Sequence, residues 1–146
     1  MKEAIKEAQE AFSIDEVPVG AVVVYENKVI ARAHNQVETL KDPTAHAEII
    51  ALTQASSFLG NKWLSGCFIY VTIEPCSMCA GALVLSRIEK IIYGANDPKA
   101  GACGSVINIA NNKSLNHRLE IKKGVLEDEC SLLLKDFFRK KRKQQQ

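Results

Sequence analysis

The sequence predicts an α/β fold in which a mixed β-sheet is covered by helices on both faces. Three features predict it. Residues 17–34 read as a β-hairpin, residues 67–73 ("CFIYVTI") read as a buried strand, and helical and strand patterns alternate from there on. A hairpin pairs its strands antiparallel, whereas the strand-helix-strand run of 67–93 should close as a right-handed parallel crossover. One sheet must then contain both senses.

The elements are expected in the following order. Residues 2–12 carry Ile5 and Phe12 seven apart with alanines between them, a helical spacing. This first helix is short, beginning at Met1 only sixteen residues before Val17. Residues 17–25 are rich in β-branched side chains, Glu26-Asn27 supplies a turn, and 28–34 runs back as the second strand. Asp42-Pro43-Thr44 is a helix-start signal, followed by about sixteen helical residues ending near Gly60. Residues 67–73 are apolar enough to be the central strand, and Glu74-Pro75 stops them. A helix over 76–86, strands over 89–93 and 119–122, and a C-terminal helix over 126–143 complete the series. There are no repeats, and only Gln144–Gln146 reads as disordered.

Composition narrows the class. A chain of 146 residues, 47% hydrophobic and 25% charged, reads as one ordinary globular domain over 1–146. No apolar run approaches the ~18 residues of a membrane span. The N-terminal stretch carries Glu3, Glu7 and Glu10 and lacks the apolar core of a signal peptide, so the expected location is cytoplasmic, with no membrane partner. The net charge of +2 hides an asymmetry: residues 139–143 alone contribute +5, and +2 less this +5 leaves −3 on the rest. This excludes a generally basic, nucleic-acid-coating protein. The concentrated basic end suits a phosphate backbone, with a solvated terminus as the alternative.

Five cysteines, an odd number without an export signal, argue for reduced thiols. Cys67, Cys103 and Cys130 sit in apolar or helical surroundings and read as small core residues. Cys76 and Cys79 differ. They stand three apart where a helix begins after a buried strand, so both sulfurs share one helix face and can meet one ion. The helix N-terminus adds partial positive charge that favours thiolate. A redox pair or half of a structural zinc site would also fit a lone CxxC, but no second CxxC exists to complete a four-cysteine knuckle.

His46 supplies a third ligand. It and Glu48 lie two residues apart in "TAHAEII", near a helix N-terminus. In mid-helix such a pair would point ~200° apart. Off the end of a helix, both can reach one site. A His-Cys-Cys set leaves one of zinc's four positions open, which marks a catalytic rather than a structural site. Bound water there would become available as hydroxide near neutral pH, and Glu48 could accept its proton and pass it on. H-x-E with P-C-x-x-C is the established signature of the zinc nucleobase deaminases.

Beyond that signature, the chain resembles the bacterial tRNA-specific adenosine deaminases of the cytidine deaminase superfamily. The resemblance runs through "VPVGAVVV" (17–24), "HNQ" (34–36), "DPTAHAEI" (42–49), "YVTIEPCSMCAGAL" (70–83), "SRI" (86–88), "GANDPKAGACGS" (94–105), "NHRLEI" (116–121) and "DFFRKKR" (136–142). It implies a three-layer α/β/α sandwich around a five-stranded mixed sheet, assembled as a homodimer. It implies hydrolysis of the wobble adenosine in a tRNA anticodon loop to inosine, with release of ammonia. One zinc ion per chain would be held by His46, Cys76 and Cys79, and hydroxide would attack adenine C6 while Glu48 protonates the ring nitrogen.

The resemblance also assigns substrate contacts. Asn35 would hydrogen-bond the flipped base, and Val19 with the Ala47 and Pro75 backbones would line the pocket. Asp97 would contact the sugar region and Asn116 a neighbouring anticodon base. By themselves Asn35 reads as a turn residue, and Asp97 and Asn116 as loop caps. Phe137, Phe138 and Arg139 mix stacking surface with charge, which suits splayed loop nucleotides. Adjacent helical positions face ~100° apart, so one phenylalanine should be buried and the other should face RNA. Family position assigns that role to Phe138, beside Arg139.

Two alternatives stay open. A guanine, cytosine or nucleotide deaminase would use the same zinc chemistry, but a small substrate needs no extended basic surface. A non-catalytic, zinc-stabilised RNA-binding module would need a closed metal site and would leave Glu48 without a task.

Overall fold

The computed structural model describes residues 1–145. Its elements are α1 (Lys2–Ser13), β1 (Gly20–Tyr25), β2 (Lys28–His34), α2 (Val37–Leu40), α3 (Ala47–Leu59), β3 (Cys67–Ile73), α4 (Ser77–Leu85), β4 (Lys90–Ala95), β5 (Glu120–Lys122) and α5 (Glu127–Gln144). The strands form one five-stranded sheet in the order β2-β1-β3-β4-β5. Pairing is antiparallel from β2 to β3 and parallel from β3 to β5, so the mixed sheet and the central position of β3 are both as expected. Val23 lies opposite Ile69, and Ile69 opposite Ile91, a row that carries the main core across three strands.

Helices cover both faces. Ala47, Ala51, Leu52 and Ala55 of α3 and Leu83 of α4 pack against Ala21, Val23, Ile69 and Ile91. On the other face, Ile5 of α1 and Cys130 of α5 pack with Ala95. The buried residues of α1, Ala4, Ile5, Ala8 and Ala11, follow an i, i+1, i+4, i+7 stripe. This short helix lies almost on the sheet backbone, because a Cβ at Gly20 would come within 1.9 Å of the Ala4 carbonyl oxygen. Cys67, Cys103 and Cys130 are all buried.

The hairpin turn follows its chemistry. Glu26 and Asn27 both have positive φ, 51° and 63°, as the twist of a two-residue β-turn demands. Other boundaries moved. β1 starts at Gly20 rather than at 17, because Pro18 lacks an N–H and the Val19 N–H bonds back to the Val17 carbonyl at 2.8 Å. α3 starts at Ala47, not in the Asp42-Pro43-Thr44 segment. There the Asp42 carboxylate accepts from the Thr44 N–H (2.8 Å) and hydroxyl (2.7 Å), a local side-chain turn that competes with helix. α3 ends as expected at Gly60, in the left-handed conformation.

The short α2 was not anticipated. It exists because the buried Glu16 carboxylate accepts from the Glu38 and Thr39 N–H groups, at 3.0 and 2.7 Å. At the other end of the chain, the expected disorder of 144–146 does not hold for its first two residues. Gln144 closes α5 and Gln145 caps it, while Gln146 lies outside the described residues. Among the described residues no helix is long and apolar enough to cross a membrane.

Candidate active site

Two helix N-termini meet beyond the end of β3. His46 is the N-cap of α3 and Cys76 the N-cap of α4, both with extended backbone (φ −74°, ψ 151° and φ −74°, ψ 178°). Neither side chain caps its own helix, so both are free to face the gap between them. Cys79 follows one turn into α4. The His46 Nδ1 lies 3.7 Å from Cys76 Sγ and 3.5 Å from Cys79 Sγ, and all three donor atoms lie within 4.8 Å of one another.

These distances fit a metal. Bonds of about 2.3 Å to sulfur and 2.0 Å to nitrogen, at tetrahedral angles, separate N and S donors by about 3.5 Å. Two thiolates and an imidazole suit zinc, which takes four ligands and would leave one position for a non-protein ligand. The electrostatics agree. Hydrogen bonds from Cys79 and His46 bring the Cys76 thiol down to about 3, while its contact with Cys76 and burial push Cys79 up. The bond to Cys76 raises His46. A thiolate is thus already favoured where a cation would sit.

Glu48, in the first turn of α3, is only 3% exposed. Burial pushes its carboxyl above the usual range, which suits a group that takes up a proton and gives it away. Glu48, His46 and Cys76 line a cavity of about 470 Å³. That volume is at the scale of a small-molecule or single-nucleotide site.

Val19, Asn35, Ala47, Asp97 and Phe138 line the same cavity. Asn35 is buried and held on both sides of its amide: Nδ2 donates to the Val17 carbonyl (3.3 Å) and Oδ1 accepts from the Val37 N–H (3.4 Å). The Asp97 carboxylate accepts from the Lys99 and Ala100 N–H groups at 3.0 and 3.1 Å, so it does cap its loop while facing the cavity. Pro75 and Cys79 are buried beside the cavity rather than on its lining. Asn116 is exposed in the loop before β5 and Arg139 is exposed on α5, both off the cavity. Arg139 instead borders an adjoining groove of about 610 Å³ with Lys99, Lys135 and Arg142. Lys99, Leu134 and Phe138 belong to both hollows.

The two phenylalanines divide as expected in burial. Phe137 is buried edge-on to Phe12, with ring centres 5.7 Å apart, whereas Phe138 is 45% exposed. The reading from sequence missed Glu16 and Glu74, two buried acids that line the cavity. For Glu74 the signal was an acid closing an apolar strand, whereas Glu16 follows Asp15 and gives no such signal.

A mixed sheet between helical layers, with a His-Cys-Cys donor set at two helix N-termini and a buried glutamate beside it, defines a hydrolytic deaminase of the cytidine deaminase-like fold. The model of the MafB19-like deaminase family matches residues 1–142. The tRNA-specific adenosine deaminase of Bacillus subtilis (strain 168) is 51% identical over 98% of this chain and 89% of its own. That of Aquifex aeolicus (strain VF5) is 54% identical over 97% and 93%. A solved tRNA A34 deaminase structure, from work on A-to-I editing at the wobble position of transfer RNA, superposes with a TM-score of 0.89. It shares 42% identity and covers 92% of this chain and 97% of that one. The chain belongs to the tRNA-specific adenosine deaminase family.

Proposed function

We propose that this chain hydrolyses the wobble adenosine of a tRNA anticodon to inosine, working as one deaminase domain with one zinc ion held by His46, Cys76 and Cys79. The observation that carries this reading is Glu48, buried beside the three donors and lining a cavity of nucleotide size. Zinc in that site supplies Lewis-acid activation of a water at neutral pH. The chain's own residues do the rest. Glu48 takes a proton from the attacking water and delivers it to the ring nitrogen beside C6. The carboxylate then collects the proton of the hydroxyl left on C6 and passes it to the amine, which departs as ammonia. Asn35, locked by its two backbone partners, hydrogen-bonds the flipped base, and Val19 and the Ala47 backbone pack against it.

A polynucleotide rather than a free base is supported by the surroundings of the cavity. Phe138 offers a stacking face at its edge, and the groove beyond, with Arg139, Lys135 and Arg142, suits phosphates. Asp97 receives the sugar side, Asn116 a neighbouring anticodon base, and Pro75 backs the pocket wall. Two copies pair through the outer face of α4: the helix "SMCAGALVL" is apolar all round, yet Leu85 is 79% exposed. The cytoplasm is the compartment in which such a tRNA substrate would be met. Ammonia release from an anticodon stem-loop, compared with free adenosine, guanine and cytidine, tests the assignment. Inosine formed in the RNA is expected, and turnover of a free base without the RNA would overturn it.

A further inference from the structure

We infer that Glu74 is a positioning residue for this reaction: its buried carboxylate sets the Asp97 wall of the cavity at a fixed offset from Cys76. The inference rests on the deaminase reading given above and names a residue that the metal and proton-transfer chemistry do not use. Glu74 directly follows β3 and is 1% exposed. All four hydrogen bonds of its carboxylate come from one loop, 97–105. Oε1 accepts from the Asp97 N–H at 3.1 Å and from the Ser105 hydroxyl. Oε2 accepts from the Cys103 and Ser105 N–H groups at 3.0 and 3.1 Å. The loop lies flush on the carboxylate, since a Cβ at Gly101 would stand 2.4 Å from the Glu74 carboxyl carbon.

The loop's other bonds are mostly its own backbone turns, such as Gly101 N–H to the Asp97 carbonyl at 2.9 Å and Ile109 N–H to the Ala102 carbonyl at 2.8 Å. Between β4 and β5 its only regular pairing among the described residues is the isolated bridge of Cys103 with Asn108. The segment that carries Glu74 is itself rigid: the Glu74 N–H donates to the Ala95 carbonyl at 2.8 Å, and the Pro75 carbonyl accepts from the Ala102 N–H at 2.9 Å. Cys76 follows two residues later. One carboxylate therefore ties the backbone of Asp97, which lines the cavity, to the backbone that presents a metal donor.

Glu74→Gln keeps the shape but offers one acceptor oxygen instead of two, so one pair of loop donors loses its partner. In the full-length holoenzyme we expect metal content to stay at one per chain. Amide exchange over 97–105 should accelerate about tenfold, reflecting local opening. KM for the anticodon stem-loop should rise about tenfold with kcat within about threefold, the pattern of a displaced binding wall that weakens ground and transition states alike. Unchanged exchange and KM would overturn the inference, and so would lost metal or a collapse of kcat at constant KM, which would tie Glu74 to the metal instead. If Glu74→Gln does not fold, Ser105→Ala removes one of the four donors. Faster exchange confined to the loop with a KM increase of about threefold is then expected, and no change in either overturns the inference. Failure of the wild-type protein to deaminate the RNA would sink the functional reading alone, because the exchange measurement needs no substrate.

Discussion

The two walls of the cavity are built by different means. One wall is the pair of helix N-termini that carry His46, Glu48, Cys76 and Cys79, fixed by the packing of α3 and α4 onto the sheet. The other consists of short or irregular backbone, α2 and the 97–105 loop, held by the buried carboxylates of Glu16 and Glu74. The first wall inherits its precision from regular structure. The second owes its precision to a few hydrogen bonds between segments far apart in the chain.

That contrast can be broken from either side. The largest effect is expected from Cys79→Ala: loss of stoichiometric zinc and of all measurable deamination, read by metal analysis and ammonia release. Retained zinc with retained turnover would mean that these donors are not the metal site. Glu48→Ala should keep zinc yet lower kcat by about 10²–10⁴, the usual contribution of a positioned acid-base group. Loss of zinc in that variant would make Glu48 structural. On the substrate wall, Phe138→Ala should weaken stem-loop binding by about 1–3 kcal/mol through lost stacking, with the melting temperature nearly unchanged because the ring is exposed. Equal affinity for both proteins would remove α5 from the interface.

The smallest effects concern the carboxylates that hold the second wall. Glu16→Gln should cost about 1–3 kcal/mol of stability, the penalty for leaving a buried donor unpaired, measured by urea unfolding. Both buried acids also make stability depend on pH. Burial opposes their ionisation, but the hydroxyl and N–H groups around them outweigh it and hold both below the ordinary carboxylate range. A group depressed in the folded state stabilises above its unfolded value of about 4.3, and that contribution fades as pH falls through the lower folded value. Urea unfolding between pH 6 and pH 3 should show this loss, and the Glu16→Gln variant should lose less than wild type. An equal acid slope in both proteins would show that Glu16 does not contribute.

Legibility followed the same division. The His46, Cys76 and Cys79 cluster, the acid beside it and the central strand could be read because each is a local pattern: CxxC across one turn, HxE at a helix start, an unbroken apolar run. The start of α3 was placed too early because Asp42 bonds to Thr44 instead of leaving those groups to a helix, and this very detail leaves His46 extended at the N-cap. α2 and the roles of Glu16 and Glu74 were not legible. Their partners lie more than twenty residues away, at Glu38 and Thr39 for Glu16 and at Asp97, Cys103 and Ser105 for Glu74.

Residue order alone pointed to the His46, Cys76 and Cys79 cluster and to Glu48, since side chains at helix spacing make a local pattern. Which residues share the cavity depended on how distant segments fold together. Asn35, Asp97 and Phe138 come together from β2's end, the 97–105 loop and α5, whereas Asn116 and Arg139, the latter next to Phe138 in the chain, stay outside. The physical reason is the reach of the forces. Periodicity and capping act over a few residues, while a buried charge must find its donors wherever the fold brings them.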